Sequence, residues 1–172
     1  TDITNASRTM LFNINTLRWD DKLLKLFDIP KPLLPEVVDS DSCFGSLSEL
    51  GDITIHAVLG DQQAALFGQG CLDKGQLKST YGTGCFIMSN VGDEPIHSDD
   101  GLLTTIGFSL NGKVYYAIEG SIYASGTTVQ WLRDNLQFFD KSDQSETYLN
   151  EDGNANNVLF IPAFTGLGAP YW

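Results

Sequence analysis

Positive charge is scarce in these 172 residues: 10 Lys and Arg stand against 22 Asp and Glu, a formal net charge of −12. A field of that sign repels phosphate backbones and argues against a nucleic-acid partner. Its simplest reading is a well-solvated surface. Cysteine is sparse too. Cys43, Cys71 and Cys85 are odd in number and form no C-x-x-C pair, so neither a disulfide framework nor a zinc site is expected. A reducing, cytoplasmic setting with three buried thiols is. No apolar run approaches the roughly 18 residues of a membrane span, and no signal peptide is visible. His56 and His97 are isolated in the sequence and are read as non-catalytic. Tandem repeats and low-complexity tracts are absent. The chain opens on Thr1, not Met, and stops at Trp172, as expected of a piece cut from a longer protein.

What is present reads as globular: 42% of residues are hydrophobic and 19% charged. Thr4-Asn5 ahead of residues 6–12 predicts a short capped helix. Trp19, Leu23, Leu24, Leu26 and Phe27 recur at helical spacing before Pro30. One strand is expected near Phe44–Leu47. Another is expected over Thr54–Leu59, running into Gly60 and a helix over Gln62–Gln69. Gly68, Gly70 and Gly75 then punctuate the chain, and a domain boundary is expected near Cys71. Beyond it the texture is one of hairpins. Leu77–Tyr81 and Cys85–Ser89 flank Gly82-Thr83-Gly84, while Leu103–Leu110 and Lys113–Glu119 flank Asn111-Gly112, a strong hairpin signal. A helix over 121–138 burying Ile122, Val129, Trp131 and Leu132 should follow. Residues 140–157 read as a polar surface loop around Gly153-Asn154, and Val158–Ile161 as an apolar strand. The alternation of helices and strands gives an α/β class.

Three places could carry chemistry. Asp61, at the mouth of an expected strand-to-helix turn, lies where open α/β sheets place ligands. It is either a helix N-cap or a general base. Gly82-Thr83-Gly84 is either a plain hairpin turn or a loop offering backbone N–H groups and one hydroxyl to a phosphate. Gly126 and Gln130, four apart, share one helix face. The first either admits a ligand to the backbone or lets the helix pack closely.

The strings around these residues resemble one family. Gly60-Asp61-Gln62-Gln63-Ala64-Ala65-Leu66-Phe67-Gly68-Gln69 is similar to the substrate segment of the glycerol kinases. Tyr81-Gly82-Thr83-Gly84-Cys85-Phe86 is similar to their second phosphate loop, and the segment from Ala124-Ser125-Gly126 through Gln130-Trp131-Leu132-Arg133-Asp134 to the helix lining their nucleotide cleft. Residues 1–13, Asn135-Leu136 and 162–172 extend the likeness, which thins at 40–55 and 137–157. The resemblance implies two actin-like (ribonuclease H-like) ATPase domains, with 1–70 the C-terminal part of the first and 71–172 the N-terminal part of the second. It implies ATP-dependent phosphorylation of glycerol to sn-glycerol 3-phosphate with Mg2+, by a cytoplasmic homo-oligomer. Asp61 would be the base, Gln62 a polyol ligand and Phe86 an apolar wall against the glycerol carbons. Gly82, Thr83, Gly84, Gly126 and Gln130 would bind nucleotide, and no side chain is assigned to a metal.

The family's first phosphate loop and its glycerol-holding Arg-Glu pair would lie upstream of Thr1, and its adenine site beyond Trp172. The chain alone is therefore expected to be inactive. The alternatives are another sugar or polyol kinase of the superfamily, or a non-catalytic actin-like nucleotide-binding module. One departure from the family pattern stands out. Where some members carry a Gly-Gly-x-Arg loop that grips fructose 1,6-bisphosphate, this chain has Glu49-Leu50-Gly51-Asp52-Ile53-Thr54. Residues 40–55 also lack the His through which other members are activated by phosphorylation, so insensitivity to both signals is expected.

Overall fold

Asp2 starts the first helix of the computed structural model, which describes residues 1–149 and 157–172. Its carboxylate accepts the N–H groups of Thr4 and Asn5 at 2.9 and 3.1 Å, capping α1 (Ile3–Ser7). The cap thus precedes the Thr4-Asn5 pair read from sequence. The helix also ends early: Met10 takes a left-handed φ of +61°, and β1 (Phe12–Asn13) pairs antiparallel with β2 (Arg18–Trp19). Trp19 is therefore a strand residue, edge-on to Phe12 with ring centroids 5.5 Å apart. The following helix, α2 (Asp21–Leu26), begins after it, capped by Asp20.

A small hairpin follows, β3 (Ser46–Leu47) against β4 (Ile53–Thr54). The strand expected over Thr54–Leu59 is not formed. Past Thr54 the backbone bonds run to loops: Ile55 donates to Gly45 O at 2.8 Å and Val58 to Ser40 O at 3.0 Å. Residues 55–60 thus reach α3 (Asp61–Gly68) without joining a sheet. That helix ends in a Schellman motif. Gly70, at φ +74°, donates to Phe67 O at 2.9 Å, and Cys71 donates to Leu66 O at 3.1 Å.

Both long hairpins appear where the sequence places them. β5 (Leu77–Tyr81), β6 (Cys85–Gly92), β7 (Leu103–Leu110) and β8 (Lys113–Ile122) form one sheet in the order β5-β6-β8-β7. Asn111 and Gly112, at φ +52° and +74°, supply the two left-handed residues that a type I′ turn between β7 and β8 requires. α4 (Gly126–Asp134) starts later than expected because β8 continues through Ile122. Ile122 is exposed, and no residue of α4 is buried.

Two compact units divide the chain: Thr1–Lys78 with Met88–Glu119, and Ser79–Ile87 with Gly120–Trp172. The first holds two apolar clusters. Ile3, Ala6, Phe12, Val91, Ile106 and Tyr116 make one; Leu66, Cys71, Met88, Phe108 and Ala117 make the other and seat α3 on the sheet. In the second unit Trp131 stacks on Phe160 with centroids 5.7 Å apart. Val158–Ile161 is not a strand there. It has no ladder partner among the described residues, and its side chains are largely exposed. The Gly153-Asn154 turn read from sequence lies outside the described residues. Cys71 and Cys85 are buried, but Cys43, in the loop before β3, is exposed.

Candidate active site

The start of α3 is fixed by a polar network within the first unit. Asp2 has no exposed surface. Besides the two cap bonds it accepts from the Thr4 hydroxyl at 2.6 Å, the Asn5 amide at 2.6 Å and the Ser40 hydroxyl at 3.0 Å. So many donors compensate the cost of burying a carboxylate. Because the Thr4 hydroxyl donates to Asp2, its lone pairs face the other way. There it accepts the Gly60 N–H at 2.9 Å. Gly60 is the N-cap of α3. A Cβ on it would stand 2.5 Å from Gln63 Oε1, so a larger residue there would push the end of that side chain aside. Gln63 is buried, and its amide reaches Ile106 O at 3.4 Å.

Asp61 is thereby the first residue of α3 and not its N-cap, which settles one of the two readings of its position. Its carboxylate is exposed and accepts its neighbour's N–H, from Gln62, at 2.8 Å. The positive end of the helix favours a carboxylate there. The Gln62 side-chain amide stands half-buried beside it, Nε2 at 3.5 Å from Asp61 Oδ2. Behind Gln62 the ammonium of Lys78 on β5 donates to Gln62 Oε1. Sequence reading missed Lys78. Its signal was strand alternation, which turns Lys78 inward between outward Leu77 and Ser79.

The second unit gathers a different set. The Thr83 carbonyl at the turn between β5 and β6 accepts from Ser125 N at 2.9 Å, Thr127 N at 3.3 Å and the Thr127 hydroxyl at 3.0 Å. Gly82 O accepts from Gly126 N at 2.8 Å. These bonds dock the turn onto the first residues of α4. A Cβ on Gly126 would come within 2.6 Å of Gly82 O. Of the two readings of Gly126, close packing is the one this contact accounts for. Gly82 and Thr83 are exposed, Gly84 is buried, Phe86 is half-buried on β6, and Gln130 is exposed on α4. The candidate residues thus form two groups, Asp61 and Gln62 with Lys78 in one unit, and Gly82, Thr83, Gly84 and Gly126 in the other.

Solved structures share this architecture. A xylulose kinase from Lactobacillus acidophilus superposes with a TM-score of 0.83 over 100% of this chain, at 24% identity, a likeness of fold. A Plasmodium falciparum glycerol kinase, determined with ADP, superposes at 0.90 with 42% identity, over 100% of this chain and 35% of its own. The fold is thus that of the actin-like ATPase domains of sugar kinases. Two domain descriptions match the sequence: the N-terminal domain of the FGGY family of carbohydrate kinases over residues 1–68 and its C-terminal domain over 77–172. The chain belongs to that family. Among its curated relatives are the glycerol kinases of Natranaerobius thermophilus, 53% identical, and Alteromonas mediterranea, 56% identical. Each match covers 100% of this chain and 35% of the relative, so the chain spans about a third of their length.

Proposed function

We propose that the whole protein to which these residues belong is an ATP-dependent glycerol kinase forming sn-glycerol 3-phosphate. The observation that carries this reading is the identity of 51–56% over the entire chain with relatives called glycerol kinase. The exposed Asp61 carboxylate with the Gln62 amide at its side supports it. In this reading residues 1–70 end one actin-like domain and 71–172 begin the next, supported by the family matches at 1–68 and 77–172. Cytoplasmic location and homo-oligomeric state belong to the same reading.

Asp61 accepts the proton of the terminal glycerol hydroxyl as its oxygen bonds the γ-phosphorus; the bond from that phosphorus to the β–γ bridging oxygen breaks, and ADP leaves. Gln62 donates to a glycerol hydroxyl, and Phe86 covers the carbons. The exposed Gly82-Thr83 tip, where a Cβ on Gly82 would have nothing nearer than Gly84 O at 3.9 Å, leaves room for a phosphate. Gly84 and Gln130 belong to the nucleotide side, and Gly126 serves it by packing the start of α4 against Gly82. Among the described residues no three His, Cys, Asp or Glu side chains come together as a metal site. In this reading Mg2+ comes with the nucleotide, whose phosphate charge it would neutralise. The test is ADP release by the full-length enzyme with glycerol, xylulose or gluconate as acceptor. Turnover with glycerol alone is expected; preference for either sugar substrate would overturn the reading.

A further inference from the structure

A glutamine amide presents two unlike atoms at nearly one shape: an oxygen that only accepts and an NH2 that only donates. Turned by 180° it fills the same space with the opposite chemistry. At Gln62 the choice is made by what lies behind it. Lys78 is 4% exposed, and its ammonium carries donors and no acceptor. The atom of Gln62 that faces it is therefore the oxygen, and Lys78 Nζ donates to Gln62 Oε1. The NH2 must then point to the opposite side, where Asp61 Oδ2 lies 3.5 Å away. In the flipped amide an oxygen would face the carboxylate and an NH2 the ammonium, so both contacts would become repulsive.

We propose that Lys78 is a positioning residue that locks the Gln62 amide, so that the site beside Asp61 always offers a hydrogen-bond donor to the substrate. The proposal rests on the reading of Asp61 and Gln62 as base and polyol ligand. It gives a buried lysine a task in substrate recognition, carried out through another side chain. A hydroxyl next to the attacking one is then met through its oxygen lone pair, while its proton is free to find a separate acceptor. The ammonium also polarises the amide, which makes the NH2 a stronger donor.

The experiment uses the full-length enzyme and measures KM for glycerol, KM for ATP, kcat and the melting temperature. Lys78→Met should raise the glycerol KM on the order of tenfold, the scale of one lost hydrogen bond, and leave the ATP KM unchanged. Lys78→Arg, which still only donates, should recover most of the loss. Gln62→Glu keeps a partner for Lys78, so a merely structural role for the lysine survives in it. It should melt like the wild type and still bind glycerol at least tenfold more weakly, because the donor is gone. Gln62→Leu tests the underlying reading separately. If Gln62→Leu leaves the glycerol KM unchanged, Gln62 is not a polyol ligand and that reading falls. If Gln62→Leu raises it while Lys78→Met or Gln62→Glu does not, the positioning role of Lys78 is overturned and the reading stands. Should Lys78→Met fail to fold, Lys78→Gln, whose own amide can face either end of Gln62, decides: a raised glycerol KM supports the lock and an unchanged one overturns it.

Discussion

The hydroxyl of Thr4 accepts the N–H of Gly60 at 2.9 Å across 56 residues of chain, and so ties the start of α3 to the buried carboxylate of Asp2. Thr4→Val should keep the shape, remove that acceptor and leave Gly60 N–H without it. A loss of about 1–3 kcal/mol is expected in urea unfolding. Asp2→Ala, which removes the acceptor for five donors, should cost more than Thr4→Val. Equal stability of Asp2→Ala and the wild type would show that the network contributes nothing.

A second tie within the same unit joins Arg8 to Glu119. The guanidinium meets the carboxylate with two bonds, 3.0 and 3.1 Å, and the glutamate side chain is 3% exposed against 41% for the arginine. Removing the arginine leaves a buried charge without its partner. Arg8→Ala is expected to destabilise by about 1–3 kcal/mol, less than breaking a fully buried pair, because the guanidinium is already partly solvated. Arg8→Lys should recover only part, because an ammonium cannot reproduce the bidentate fork. Equilibrium denaturation of the two variants checks the order.

Tyr116 gives the pH dependence its sign. Burial pushes its phenol above the ordinary value, and its hydroxyl donates to Ile14 O at 2.9 Å. The folded state favours the protonated form. The resulting stabilisation is complete below the phenol's ordinary value of about 10 and is lost as pH rises through the higher folded value. Absorbance at alkaline pH should show a late-titrating tyrosine in the wild type that Tyr116→Phe lacks.

The hairpin of β3 and β4 carries the regulatory expectation. Glu49 and Asp52 are exposed there and no arginine lies in the loop, so an anion would meet repulsion in place of a charge-assisted bond. Titration of the full-length enzyme with fructose 1,6-bisphosphate should give no saturable inhibition, and a phosphohistidine donor no activation. Either response would contradict this view of the loop.

The parts legible in the sequence were those with local causes. Asn111-Gly112 dictates its own turn, and the run from Gln62 to Gly70 carries both its helical period and its Schellman stop. The misplaced elements depend on distant partners. Thr54–Leu59 has strand composition, but its backbone is bonded to Ser40 and Gly45. Val158–Ile161 has the same composition and no strand beside it among the described residues. The site follows the same rule. Asp61 and Gln62 stand out in a single string, whereas Lys78 matters only because the sheet brings it behind Gln62 from 16 residues away.

The central claim is that Asp61 takes the proton from the attacking hydroxyl, and Asp61→Asn tests it most directly. The asparagine keeps the size and the contact with Gln62 N but cannot serve as base. In the full-length enzyme kcat should fall by at least ~10² with nucleotide affinity and melting temperature nearly unchanged. Turnover close to the wild-type value in a folded Asp61→Asn enzyme would contradict the account.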